Sequence, residues 1–199
     1  MKMKHYIFQT ILLLLVNSVH SQGFLYDQQS STDETPISGA GAVIQQLAPY
    51  GQSFTPSLSS VDFIRLNLND GNPNNGIGAT IYLNLRTNTI NGAILATTPS
   101  ISLTNGFAGI VNFLFPSTVP LTPSATYVFE IVMQSGSDSW NALAGEYNYS
   151  GGIVYANGVP ASGSDLWFRE GIVTVPEPSS AVLVLLGSGA WLFIRRFTK

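Results

Sequence analysis

Residues 79–87 read ATIYLNLRT. In an extended chain Ile81, Leu83 and Leu85 fall on one side, and Thr80, Tyr82, Asn84 and Arg86 on the other. A helix would scatter the three apolar residues around its circumference; a strand lines them up on one buried face. The same period recurs in TYVFEIVM, residues 126–133. There Tyr127, Phe129, Ile131 and Met133 share a face, while Val128 and Val132 flank Glu130 on the other, so both faces are partly covered. In VDFIRLNLN, residues 61–69, Ile64, Leu66 and Leu68 group together with Val61 and Phe63 out of phase. A β-bulge between Phe63 and Ile64 would reconcile the two sets.

Outward from these three stretches, GIVNFLF, GGIVYANG and DLWFREG add shorter apolar runs. The gaps NDGNPNNG, NTINGAI, LTNG, PSTVPLTPSA and QSGSDS hold turn-forming residues. AVIQQLA, residues 42–48, has room for one helical turn only, and no body segment keeps an apolar 3.6-residue period over three turns. Eight to ten short strands punctuated by turns predict an all-β, antiparallel β-sandwich over residues 22–174. A jelly roll is expected over an immunoglobulin-like order, because the body tryptophans, Trp140 and Trp167, come late.

The two ends have a different character. MKMKHYIFQTILLLLVNSVHSQG opens with Lys2 and Lys4, continues through an apolar core from Ile11 to Val16, and places Val19 and Ser21 three and one residues before a cut. Residues 1–21 therefore read as a secretory signal peptide, with cleavage between Ser21 and Gln22 by signal peptidase. The other end, residues 175–199, reads VPEPSSAVLVLLGSGAWLFIRRFTK. Its apolar run from Ala181 to Ile194 predicts a single C-terminal transmembrane helix, about 21 Å long at the usual rise. Arg195, Arg196 and Lys199 are the cytoplasmic stop.

Pro176, Glu177 and Pro178, followed at once by a short apolar helix and a basic tip, resemble the PEP-CTERM sorting domain of Gram-negative bacteria. The resemblance covers about the last 25 residues. It implies an exosortase as partner, recognition at the Pro-Glu-Pro triplet, an inner-membrane intermediate, and delivery to the cell surface or an exopolysaccharide matrix. A rigid stalk above a permanent anchor is the alternative reading of the same tail. Within the body, GQSFTP, IRLNL, IGATIYLNLRT, FPSTVPLTPSATYVFEI and DLWFRE, in that order, are similar to a group of exported bacterial β-sandwich domains found in sorted surface proteins and beside carbohydrate-active modules. That likeness implies a jelly roll and leaves activity open.

Composition narrows the chemistry. The chain has 199 residues, no cysteine, and 10% charged residues. No disulfide is available, so stability must come from a hydrophobic core. Between Gln22 and Pro176 lie ten acidic and three basic residues, a net of −7, which argues against nucleic acid as a partner. Both histidines, His5 and His20, belong to the signal peptide, and the body has no lysine. Ser-His-Asp, Cys-His, Schiff-base and common zinc chemistries are thereby removed, and a non-enzymatic body is expected. Carboxylates remain. Glu130, Asp138, Glu146, Asp165 and Glu170 are candidates for a glycoside hydrolase or lyase pair, or they form an ordinary solvated face. Asp70, Asn72 and Asn74 offer oxygen ligands for calcium; the same residues also read as a turn. Trp140, Tyr147, Tyr149 and Trp167 offer aromatic faces for a polysaccharide platform, or, for the tryptophans, core.

Overall fold

The computed structural model describes residues 23–35, 41–136 and 139–174. Outside them lie the expected cleavage site, the sorting motif, the C-terminal helix with its basic tip, and Asp138. The described residues form fifteen strands: β1 (Gly23–Gln29), β2 (Ala42–Val43), β3 (Tyr50–Phe54), β4 (Ser60–Asp70), β5 (Ala79–Thr87), β6 (Ile94–Thr97), β7 (Ile101–Leu103) and β8 (Ala108–Pro120). They continue with β9 (Tyr127–Ser135), β10 (Trp140–Ala142), β11 (Ala144–Gly145), β12 (Val154–Ala156), β13 (Val159–Ala161), β14 (Asp165–Leu166) and β15 (Phe168–Thr174). No helix occurs among the described residues, and none there is long and apolar enough to cross a membrane.

The registered pairings are all antiparallel. In one sheet β8 lies along one edge of β4. Along the other edge β15 and β10 divide the length of β4 between them, and β1 and β2 follow outward. The second sheet runs β13-β12-β3-β9-β5, with β6 and β7 dividing the outer edge of β5. A two-stranded piece, β11 with β14, stands apart from both. The strands outnumber the eight to ten expected because single long strands face pairs of short ones.

The inward faces of both sheets meet in one β-sandwich-like core. Ile81, Leu83 and Leu85 from β5, Tyr127, Phe129 and Ile131 from β9, and Ile64, Leu66 and Leu68 from β4 are all buried in it. Phe54 and Phe129 of the second sheet face Phe168 of the first, with ring centroids 6.5 and 5.3 Å from it. The irregularity expected in β4 is present one step earlier, between Val61 and Phe63. Val61 joins Ile64 in the core, while Phe63 turns to the opposite face and is covered by Phe24 and Tyr26 of β1. PSTVPLTPSA differs more from its expected role as a gap. Strand β8 continues through it to Pro120, which pairs with Ser60. Proline lacks an amide hydrogen, but β8 is an edge strand, where the outward N–H needs no partner. AVIQQLA gives a two-residue strand and one turn closed by Leu47 N donating to Val43 O, 3.2 Å.

Residues 30–35 lie against the outer face of the first sheet. Trp167 Nε1 donates to Asp33 O (2.6 Å), Asn67 Nδ2 to Thr35 O (3.3 Å), and Glu34 pairs with both Arg65 and Arg169. Arg65 and Arg169 are directly opposite in register, an arrangement that like charges disfavour. The shared Glu34 carboxylate offsets it, as does the Tyr26 ring, 3.8 Å from the Arg169 guanidinium carbon.

Candidate functional site

The expected aromatic platform is not assembled from the tryptophans. Trp140 is 0% exposed and Trp167 2%, so neither presents a ring face to a sugar. The Trp140 indole N–H has no acceptor among the described residues. Trp140, on β10, fills the core between the sheets, while Trp167, between β14 and β15, is buried where its indole N–H donates to Asp33 O. Tyr149 is half-buried and committed as well. Its ring stands edge-on to Phe168 at 5.1 Å, and its hydroxyl donates to Gln28 Oε1 (3.0 Å) while accepting from Thr55 N (3.4 Å). Tyr147 is half-buried, with its ring over Gly145.

Asp70 ends β4, and its side chain closes the turn that follows. Its Oδ1 accepts from Asn72 N and its Oδ2 from Gly106 N, both at 2.8 Å, so one carboxylate ties together the loops on either side of β5 and β7. Asn72 and Asn74 are exposed, and Asn75 Oδ1 closes its own turn onto Ile77 N (2.8 Å). Among the described residues no three His, Cys, Asp or Glu side chains converge on a common point.

The carboxylates separate into three settings. Glu130 on β9 pairs with Arg86 on β5 at 2.7 Å and accepts from Asn84 Nδ2 at 2.9 Å. Asp165 and Glu146 line a cleft of about 350 Å³ with Asn148, Tyr149, Ser162 and Ser164. Asp165 is nevertheless engaged at both oxygens, with Gln52 Nε2 on one (3.0 Å) and Tyr149 N on the other (2.9 Å). Gln52 in turn accepts from Leu166 N at 3.0 Å. This network fixes β14 against β3 and leaves Glu146 as the free carboxylate of the cleft.

The third setting was not anticipated. Glu170 follows Phe168 by two residues on β15, so it shares the inward face, and it is 0% exposed. Its Oε1 accepts from Gln28 N (3.1 Å); Oε2 accepts no hydrogen bond. Burial first, and the nearby Asp27 charge second, push its pKa up to about 8, against the opposing pull of the Gln28 N–H. Burial and a neighbouring negative charge both disfavour its ionised form, so Glu170 is the carboxyl of the two that keeps its proton. Asp27 goes the other way. Burial alone would raise it, but Leu58 N (2.9 Å), the Ser57 hydroxyl and Ser57 N (2.7 Å), with Gln28 Nε2, together lower it. The Tyr149 hydroxyl, pushed up to about 12 by burial against the opposing pull of the Thr55 N–H, stays protonated.

A pair of carboxyls driven apart in this way has the electrostatics of a general acid and its anionic partner. It lacks access: with Glu170 sealed between the sheets, a substrate oxygen cannot reach its proton. The pair joins β1 to β15 and to the turn after β3. The signal for it was in the sequence, since alternation from Phe168 makes Glu170 inward; Asp27, on the first strand while Glu170 is on the last, carried none. No family model and no curated protein matches this chain.

Proposed function

We propose that this is an exported protein of the cell surface or extracellular matrix of a Gram-negative bacterium, processed by an exosortase at Pro176-Glu177-Pro178. Its body is a non-catalytic, jelly-roll-like module that associates with polysaccharide. The observation that carries the sorting half is the order of the C-terminal sequence: triplet, uncharged apolar run, Arg195-Arg196, with a signal peptide at the other end. The non-catalytic half is supported by the commitments of the carboxylates: Glu130 to Arg86, Asp165 to Gln52 and Tyr149, and Glu170 to Gln28 N inside the protein. The jelly-roll reading draws on β1 lying beside the last strand, β15, and β3 beside β12.

Intact-mass measurement of the protein from its own host tests the sorting half. The mature chain is expected to begin near Gln22 and to end close to the triplet. A chain that keeps residues 179–199 in a host with an active exosortase would reduce the tail to a plain anchor. A carboxylate-dependent glycoside hydrolase or lyase is the second reading, favoured by Glu146 and Asp165 lining one cleft. Release of reducing or unsaturated sugars by the wild type, abolished in Glu146→Gln, would establish it in place of the first.

A further inference from the structure

With both tryptophans buried, the aromatic residues left for a ligand are few. Tyr50 is buried, Tyr155 is buried against Ile90 and Val128, Tyr26 lies under Arg169, and the Tyr127 hydroxyl accepts from Thr122 N. Tyr82 is different. It sits on the outward face of β5, half-buried, and its hydroxyl bonds to none of the described residues. It lines a cleft of about 510 Å³ with Asn84, Ile94, Thr97, Ser100 and Gln134.

The walls of this cleft come from two register shifts. Pairing of β5 with β9 skips Gln134, and pairing of β5 with β6 skips Leu95. Bulges re-aim side chains, and here they flank Tyr82 with the exposed Gln134 on one side and Ile94, 51% exposed, on the other. The polar groups are fixed in advance. Thr97 Oγ1 donates to Asn84 Oδ1 (2.8 Å), Asn84 Nδ2 donates to Glu130, and Ser100 Oγ donates to Gln134 Oε1 (2.5 Å). Glu130 is neutralised by Arg86, which also donates to Gly92 O at 2.9 Å. The face therefore offers one ring, several amide and hydroxyl groups held in place, and no net charge.

We propose that this cleft binds a segment of neutral polysaccharide, with a sugar ring against Tyr82 and sugar hydroxyls bonded to Asn84, Thr97, Ser100 and Gln134. The proposal rests on the polysaccharide reading of the body given above. Charge selects the ligand class: an anionic chain meets a body of net −7 with no unpaired cation at the cleft, and a cationic one meets no unpaired anion there. A flat apolar ring flanked by immobilised donors and acceptors matches the alternating apolar and hydroxylated surfaces of a sugar.

The test uses the full chain in detergent, by affinity electrophoresis in gels containing a β-glucan, a galactan or a mannan, with a polyuronate as the charged contrast. The wild type is expected to be retarded by at least one neutral polymer, with little dependence on salt. Tyr82→Ala should weaken that retardation about tenfold or more, while Tyr82→Phe, which keeps the ring, should preserve it. Gln134→Ala, at an exposed position, should weaken it by a smaller factor, and it decides the matter if Tyr82→Ala does not fold. Retardation of the wild type with no loss in Tyr82→Ala and Gln134→Ala would move the site elsewhere and leave the polysaccharide reading standing. Retardation by the polyuronate alone would overturn the neutral ligand. A wild type retarded by no polymer would overturn both this proposal and the polysaccharide half of the function.

Discussion

Glu170 is protonated inside the protein at neutral pH, so folding is linked to proton uptake. In the unfolded chain it titrates near its ordinary 4.5; in the native chain it titrates near 8. Between those values the native state holds a proton that the unfolded state has lost, and raising the pH favours unfolding, by on the order of 1 kcal/mol per pH unit. Above about 8 the loss is complete. Asp27 acts oppositely: its folded pKa lies below 3.8, so the stability it contributes is present above that value and disappears as acid is added. The thermal midpoint should therefore peak at mildly acidic pH, around 4 to 5 as a rough figure, and decline toward 8. Glu170→Gln, whose carbonyl can still accept from Gln28 N and which no longer titrates, should flatten the decline. An unchanged slope in that variant would show that the pair is not its source. A charged residue at an inward position contradicts the burial rule unless it is paired or neutral. Alternation from Phe168 marks Glu170 as the exception, but only the fold supplies Asp27. Tyr82 was hidden for the reverse reason: a polar outward face is what an alternating strand is expected to have, and nothing in ATIYLNLRT separates a ligand-facing ring from a solvated one.

Whole strands were most legible where one face is apolar without interruption. From Ile81 onward β5 follows its alternation against β9, with Ile81, Leu83 and Leu85 opposite Met133, Ile131 and Phe129. Legibility failed where strand chemistry and turn chemistry coincide. The prolines of PSTVPLTPSA belong equally to a loop and to an edge strand, and only the pairing with Ser60 and Val61 decides. Glycines inside strands separate edge from centre in another way. A Cβ on Gly51 of β3 would lie 2.0 Å from Phe129 O of β9, and one on Gly171 of β15 would lie 1.9 Å from Leu25 O of β1. Both contacts are with backbone, so relief requires moving a strand. β3 lies between β12 and β9, and movement there opens the core; β1 is at the margin of its sheet and can shift alone. Gly51→Ala should lower global stability by roughly 1–3 kcal/mol or more, seen as a drop in thermal midpoint of at least several degrees. Gly171→Ala should instead speed hydrogen exchange at residues 24–29 with a smaller change in midpoint. Equal protection of β1 in wild type and Gly171→Ala would show that the close approach is not what seats it.

At the level of the whole chain, charge and apolar length are divided among three stretches, and the division predicts how each behaves when the tail is altered. The body buries its own core without disulfides and carries ten of the eleven acidic residues. The eleventh, Glu177, stands alone between Pro176 and Pro178, ahead of sixteen residues without a charge, 179–194. On the proposed function, membrane insertion would depend on that apolar run and on Arg195, Arg196 and Lys199 behind it, and none of these changes in Glu177→Ala. Recognition by a processing enzyme, on the proposed function, depends on the triplet. Because the two requirements fall on different residues, the substitution separates them. Glu177→Ala should accumulate at full length in the inner membrane with its body outward and folded, showing the same pH profile as the wild type, because Glu170 and Asp27 are untouched. Arg195→Ala with Arg196→Ala should do the converse, weakening the stop while leaving the triplet intact. Intact mass and protease accessibility from the outer side read both variants. Normal maturation of Glu177→Ala would mean that the only charge in the triplet is not recognised, and the tail would then be a membrane anchor that happens to begin with two prolines.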